Sequence, residues 1–240
     1  MRSRIAVLAS GGGTNLQAIL EHFDAIADAR AGDVVLVASD RPNAGALRRA
    51  EARGIATALI ETASRAPGSS PLDALLDANE VDVVALAGYL RLVPAEVVQR
   101  YEGRMVNVHP ALLPAFGGPG MYGTRVHQAV LDAGSTISGV SVHFVDQSFD
   151  RGPIIAQWPV PIVAGDTPAS LAARVLGVEH LLYPLVVDAV AAGRVALDAG
   201  GTVRRVRLPA ADRTEANDSA FIPSTVGPRL ATEMARLIGL

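Results

Sequence analysis

The sequence contains no cysteine, which excludes disulfides, thiolate metal centres and cysteine nucleophiles together. Aromatic residues make up only 4%, so the core has to be built mainly from Ala, Val and Leu. No block of basic residues stands out: 21 Lys and Arg face 24 Asp and Glu, a formal charge of −3. Nucleic-acid binding leaves a basic footprint, so no nucleic-acid partner is expected. The short basic stretch from Arg204 to Arg207 reads as a solvated strand edge. No window holds the roughly 18 uninterrupted apolar residues of a membrane helix, and the apolar run after Met1 is too short for a signal segment. The expectation is a cytoplasmic protein with no membrane partner.

Half of the 240 residues are hydrophobic, enough for one large α/β domain and a short appendage. Short apolar runs at Ile5–Ala9, Val34–Ala38, Ile55–Ile60, Val81–Ala87 and Arg104–Val108 read as strands. Helical patterns lie between them: Leu16, Ile19, Leu20 and Phe23, then Ala46–Arg53 ending at Gly54, Leu72–Ala78, and Pro94–Tyr101. A further helix is expected over 124–133. Val140, Val142 and Phe144 alternate with Ser141, His143 and Val145 on a strand that can pair antiparallel with Ile154–Val160. Thr167 and Pro168 then open one long helix to Ala192 as N-cap and N1. Strands alternating with helices imply a mostly parallel sheet covered on both faces, with an antiparallel part following.

Ligands in such sheets bind beyond the C-terminal strand ends. This directs attention to Ser10–Asn15, Ser39–Asp40, Gly88–Arg91 and Asn107–Pro110. In Ser10-Gly11-Gly12-Gly13-Thr14-Asn15, glycines would let backbone N–H groups approach an anion at a helix start. No lysine follows, as a P-loop requires, and Leu16 stands where a dinucleotide fingerprint needs its third glycine. The loop therefore suits a single phosphate, or is a tight turn without a ligand.

Asn107 and His109 stand two apart at a strand end and share a face. A carboxamide donor beside an imidazole can stabilise an oxyanion and move a proton. Asp150, in a turn between two strands, is placed to orient His109 and hold its charged form. Taken singly, His109 could equally be a core or capping histidine, and Asp150 an Asx turn. His22 reads as a helix-surface residue, His127 as able to face a ligand, and His143 as packing only. His180 follows Glu179 in the long helix, and no spacing resembles a metal site.

Five segments together carry a resemblance: Leu8–Gln17, Leu86–Arg91, Met105–Pro114, Gly139–Ile154, and Glu179-His180-x-x-Tyr183-Pro184. In order and spacing, over residues 4–195, the chain resembles the folate-dependent glycinamide ribonucleotide formyltransferases of purine synthesis. The resemblance implies a Rossmann-like α/β domain over 1–198, with a phosphate-binding half to about 104, a catalytic and folate half from 105, and an appendage at 199–240. It implies transfer of formyl from 10-formyltetrahydrofolate to the primary amine of glycinamide ribonucleotide, without a metal. Asn107, His109 and Asp150 would be the catalytic trio. Gly13, Thr14, Asn15 and Glu179 would hold the ribonucleotide. Arg65, Leu90, Arg91, Leu92, Val93 and Asp146, with Asn107 and Asp150, would hold the folate.

Three segments depart from the family pattern. The loop after Pro114 is longer, the residues after Arg65 are poorer in acidic and aromatic side chains, and the tail beyond about 200 has no counterpart. A tail of this size is too short for a tRNA-binding domain of the methionyl-tRNA formyltransferase kind. Strand one starts too early for the regulatory domain that precedes formyltetrahydrofolate deformylases. A binding-only metabolite sensor would not need all three of Asn107, His109 and Asp150. The partners expected are small molecules, with the chain a monomer or homodimer, and a cis bond is expected at Leu113–Pro114.

Overall fold

The computed structural model of the chain describes residues 1–60, 70–198 and 200–205. The parallel half runs β1 (Ser3–Leu8), α1 (Thr14–Ile26), β2 (Gly32–Ser39), α2 (Gly45–Glu51), β3 (Ala56–Leu59), α3 (Pro71–Ala78), β4 (Val83–Leu86), α4 (Ala95–Arg100) and β5 (Met105–His109). The second half runs α5 (Thr124–Asp132), β6 (Ile137–Phe144), β7 (Ile154–Pro161), α6 (Pro168–Ala191), β8 (Val195–Leu197) and β9 (Val203–Arg205). Seven strands form one sheet in the order β3-β2-β1-β4-β5-β6-β7. The pairings from β3 through β5 are parallel, and β6 and β7 add antiparallel.

Alternate residues of the central strands face two separate cores. Ile5, Val7, Val83, Ala85 and Val106 pack under α1, α2, α5 and α6, while Ala6, Leu8, Leu36, Val84 and Leu86 pack under α3 and α4. This two-sided burial explains the unbroken apolar runs. Helix α6 starts as expected at Thr167: its Oγ1 accepts the Ser170 N–H, and Ser170 Oγ accepts the Thr167 N–H. Its Tyr183 hydroxyl lies 2.9 Å from the Leu86 carbonyl and 3.1 Å from that of Val106. That contact pins the helix to the ends of β4 and β5 and fixes Glu179 one turn away.

The chain reverses its direction across the sheet between β1 and β4, opening a crevice at their C-terminal ends. The Leu113–Pro114 bond is cis. The expected boundary at 198/199 falls within the β8–β9 hairpin, which carries Arg204 and Arg205. Arg65 and most of the expected 199–240 appendage lie outside the described residues.

Candidate active site

The glycine loop ties its carbonyls back to α2. Gly11 O accepts the Ala46 N–H at 3.1 Å, and Gly12 O accepts Arg49 Nε–H at 2.8 Å. Among the described residues no side chain caps the start of α1, so its first-turn N–H groups are left as donors for an anion. Gly13 takes φ +76°, and a Cβ there would lie 2.6 Å from the Ala46 Cα. Gly13→Ala is therefore expected to cost at least about 2 kcal/mol and to lower the thermal midpoint by about 5 °C or more. An unchanged midpoint would show that the loop can relax around a side chain.

One cavity of about 400 Å³ gathers most of the residues singled out in the sequence. Asn15, Leu90, Arg91, Leu92, Val93, Asn107, His109, Asp146, Asp150 and Glu179 all line it. Thr14 instead lines a second cavity between α1 and α6, on the other side of the loop. Asn15 Nδ2 donates to Glu179 Oε2 at 2.6 Å, while Asn15 Oδ1 is buried with no partner among the described residues. Burial pushes the Glu179 carboxyl up to about 7, against the opposing pull of the Asn15 hydrogen bond.

The trio lines the same cavity. Asp150 adopts φ +55°. Gly152 lets the loop double back, since a Cβ there would sit 1.9 Å from the Phe144 carbonyl oxygen. Asp150 Oδ2 accepts the Gly118 N–H at 2.9 Å and lies 3.5 Å from His109 Nδ1. Its Oδ1 lies 3.3 Å from Asn107 Nδ2. Burial pulls the Asp150 carboxyl up, but His143, His109 and the Gly118 N–H outweigh it and hold the group below its ordinary value.

His109 is 3% exposed, and its Nε2 lies 2.9 Å from the Phe116 carbonyl. A carbonyl only accepts, so Nε2 carries a proton, and Nδ1 faces the Asp150 carboxylate. Burial lowers the His109 pKa, and neighbouring His143 lowers it further, despite the opposite pull of Asp150 and the Phe116 carbonyl. The expected pull of Asp150 towards the charged form is present, but burial outweighs it and the net direction is downward.

His143 is the functional residue that strand alternation alone assigned to packing. It stands opposite Asn107 across β5 and β6. Its Nδ1 donates to the Phe144 carbonyl at 2.7 Å, leaving Nε2 to accept from Asn107 Nδ2 at 3.1 Å. That acceptor points the amide nitrogen of Asn107 into the site. The available signal was the pairing of β5 with β6, whereas the sequence reading paired β6 only with β7. His127 is also buried in the cavity wall, its Nδ1 unpartnered among the described residues. Burial lowers its pKa, and so does nearby His109.

A directed amide donor, an imidazole and a carboxylate lining one cavity suit attack on a carbonyl carbon with proton transfer. The comparisons with known proteins agree with that chemistry. Residues 3–187 match the family model described as formyl transferase. A chloroplastic phosphoribosylglycinamide formyltransferase of Arabidopsis thaliana is 44% identical over 81% of this chain and 67% of its own length. The Escherichia coli (strain K12) phosphoribosylglycinamide formyltransferase is 42% identical over 80% of this chain and 88% of its own. The crystal structure of glycinamide ribonucleotide transformylase 1 from Symbiobacterium toebii superposes with a TM-score of 0.76 at 38% identity, over 86% of this chain and 95% of that one. The chain belongs to the formyl transferase family.

Proposed function

We propose that the protein transfers the formyl group of 10-formyltetrahydrofolate to the primary amine of glycinamide ribonucleotide, giving N-formylglycinamide ribonucleotide and tetrahydrofolate. The observation that carries this reading is one cavity lined together by Asn15 and Glu179, by Leu90–Val93, and by Asn107, His109 and Asp150. The first-turn donors of α1 receive the phosphate. Glu179 and the unpartnered Asn15 Oδ1 accept hydrogen bonds from sugar hydroxyls. Leu90, Leu92 and Val93, with Asp146 and Asp150 in the same cavity lining, receive the folate ring system.

The amine nitrogen attacks the formyl carbon, and the carbonyl electrons become an oxyanion. Asn107 meets that oxygen by giving up its long contact with Asp150, while His143 keeps the amide in orientation. Neutral His109 takes the proton from the new ammonium. The imidazolium that forms is stabilised by Asp150 and by the oxyanion, and its proton passes to N10 as the carbon–nitrogen bond to the folate breaks.

The test follows folate ultraviolet absorbance after mixing the protein with 10-formyltetrahydrofolate, with and without glycinamide ribonucleotide. Deformylated folate is expected only when the ribonucleotide is present. Release without it would identify a hydrolase, and no release in either case would remove the transferase reading.

A further inference from the structure

Asp40, just after β2, makes the connection between the two substrate-binding segments. Its side chain is 5% exposed. Oδ1 accepts the Ser10 hydroxyl at 2.6 Å, and Oδ2 accepts Arg91 Nε–H at 2.9 Å. The same Ser10 oxygen accepts the Leu90 N–H at 3.0 Å, and the Ser10 N–H donates to the Gly88 carbonyl at 3.0 Å. Ser10 begins the glycine loop, and Leu90 and Arg91 begin the apolar stretch that also lines the cavity. Tyr89 immediately precedes Leu90 and lines the cavity too. Burial, then the Asp40 charge, pushes its phenol up to about 12, so Tyr89 stays neutral beside the Asp40–Arg91 pair.

The Arg91 contact alone would count for little, because its side chain is 49% exposed and surface ion pairs are weak. The Ser10 contact differs in kind. A nearly buried carboxylate accepts a hydroxyl that is itself an acceptor for the Leu90 backbone, so each bond in the chain fixes the direction of the next. Losing Asp40 frees the hydroxyl to turn, and Leu90 loses its fixed acceptor.

We propose that Asp40 is a positioning residue, holding the ribonucleotide loop and the folate wall at the separation needed for the amine to reach the formyl carbon. The proposal rests on the assignment of those two segments to the two substrates. Bimolecular steps in enzymes depend steeply on approach distance, with displacements near 1 Å costing about a hundredfold. Asp40→Asn is nearly isosteric, but its single carbonyl cannot serve Ser10 and Arg91 together. Ser10→Ala breaks the same chain at its middle.

The experiment measures steady-state kinetics and separate binding of each substrate for wild type, Asp40→Asn, Ser10→Ala and the double variant. With both substrates saturating, each single variant is expected to lose about ten- to hundredfold in kcat, while each substrate's own Kd moves by less than about threefold. The double variant is expected to be no slower than the slower single one, because both cut one chain. A merely structural role would lower the thermal midpoint and weaken both bindings without this kcat-specific loss. Unchanged kcat, or additive losses in the double variant, would overturn the proposal. Gly13→Ala, assayed for ribonucleotide binding alone, tests the underlying assignment: if that binding is unaffected, the segment assignment fails with the proposal. If it weakens while Asp40→Asn keeps full kcat, only the Asp40 role fails.

Discussion

Replacing His109 by alanine is expected to lower kcat by about a thousandfold or more while leaving the binding of both substrates within a few-fold of wild type. The imidazole gains its charge only as the tetrahedral species forms, so its loss falls on the transition state and not on the ground-state complexes. Because His109 is almost fully buried, alanine also leaves a void. His109→Gln separates the two effects, since it keeps most of the volume and polarity but cannot shuttle a proton; it should lose as much turnover as alanine while denaturing closer to wild type. The pH profile supplies the sign. Burial holds the His109 pKa below its ordinary 6.5, and the neutral form is the one that accepts the proton. kcat/KM should therefore rise as pH rises through a value below 6.5, and this limb should vanish in both variants. A limb that instead falls with rising pH, absent from His109→Gln, would mean that the free enzyme works from the imidazolium and that the proton route above is wrong.

That resting charge shows where reading the sequence stops. The strands were visible because residues such as Ile5–Ala9 and Val81–Ala87 are buried on both faces, which leaves unbroken apolar runs. The location of the site followed from the same pattern, since a parallel sheet puts its loops at one edge, and Ser10, Gly88 and Asn107 all lie there. Asn107 and His109 announced themselves because a strand period of two is a local property. His143 did not, because its meaning depends on which residue it faces across β5 and β6, a register set by tertiary packing. The His109 charge is less local still. It is a balance between desolvation by the whole surrounding fold and one carboxylate 3.5 Å away, and only the carboxylate could be anticipated from the chain. The same holds for Asp40, which the sequence places at a strand end but whose two oxygens prove to be spent on two different loops.

Glu179→Gln is expected to stabilise the protein and weaken its hold on the ribonucleotide. Glu179 is 7% exposed, and no cation pairs with it among the described residues. Its carboxyl is raised from 4.5 in a solvated chain to about 7 in the fold. Between those values the folded protein holds a proton that the unfolded chain has released, so stability declines as pH rises across the window. Above pH 7 the decline is complete, and it amounts to about 3 kcal/mol. Glutamine cannot ionise and can still accept from Asn15 Nδ2. The variant should therefore gain a stability of that order at pH 8, gain almost nothing at pH 4.5, and show a flatter pH profile between. Binding should move the other way. Ionised Glu179 offers charge-assisted acceptance to sugar hydroxyls, and a neutral amide oxygen gives up about 1–2 kcal/mol of that, roughly tenfold in Kd. Wild-type affinity should thus improve as pH rises through 7, and that dependence should be absent from the variant. Urea denaturation at the two pH values, with calorimetric titration of the ribonucleotide, measures both. A variant that gained no stability at pH 8 would show that the buried carboxylate finds compensation elsewhere, and unchanged ribonucleotide affinity would remove Glu179 from the binding site. If both changes appear, the buried acid persists at a cost to the fold because substrate binding requires it.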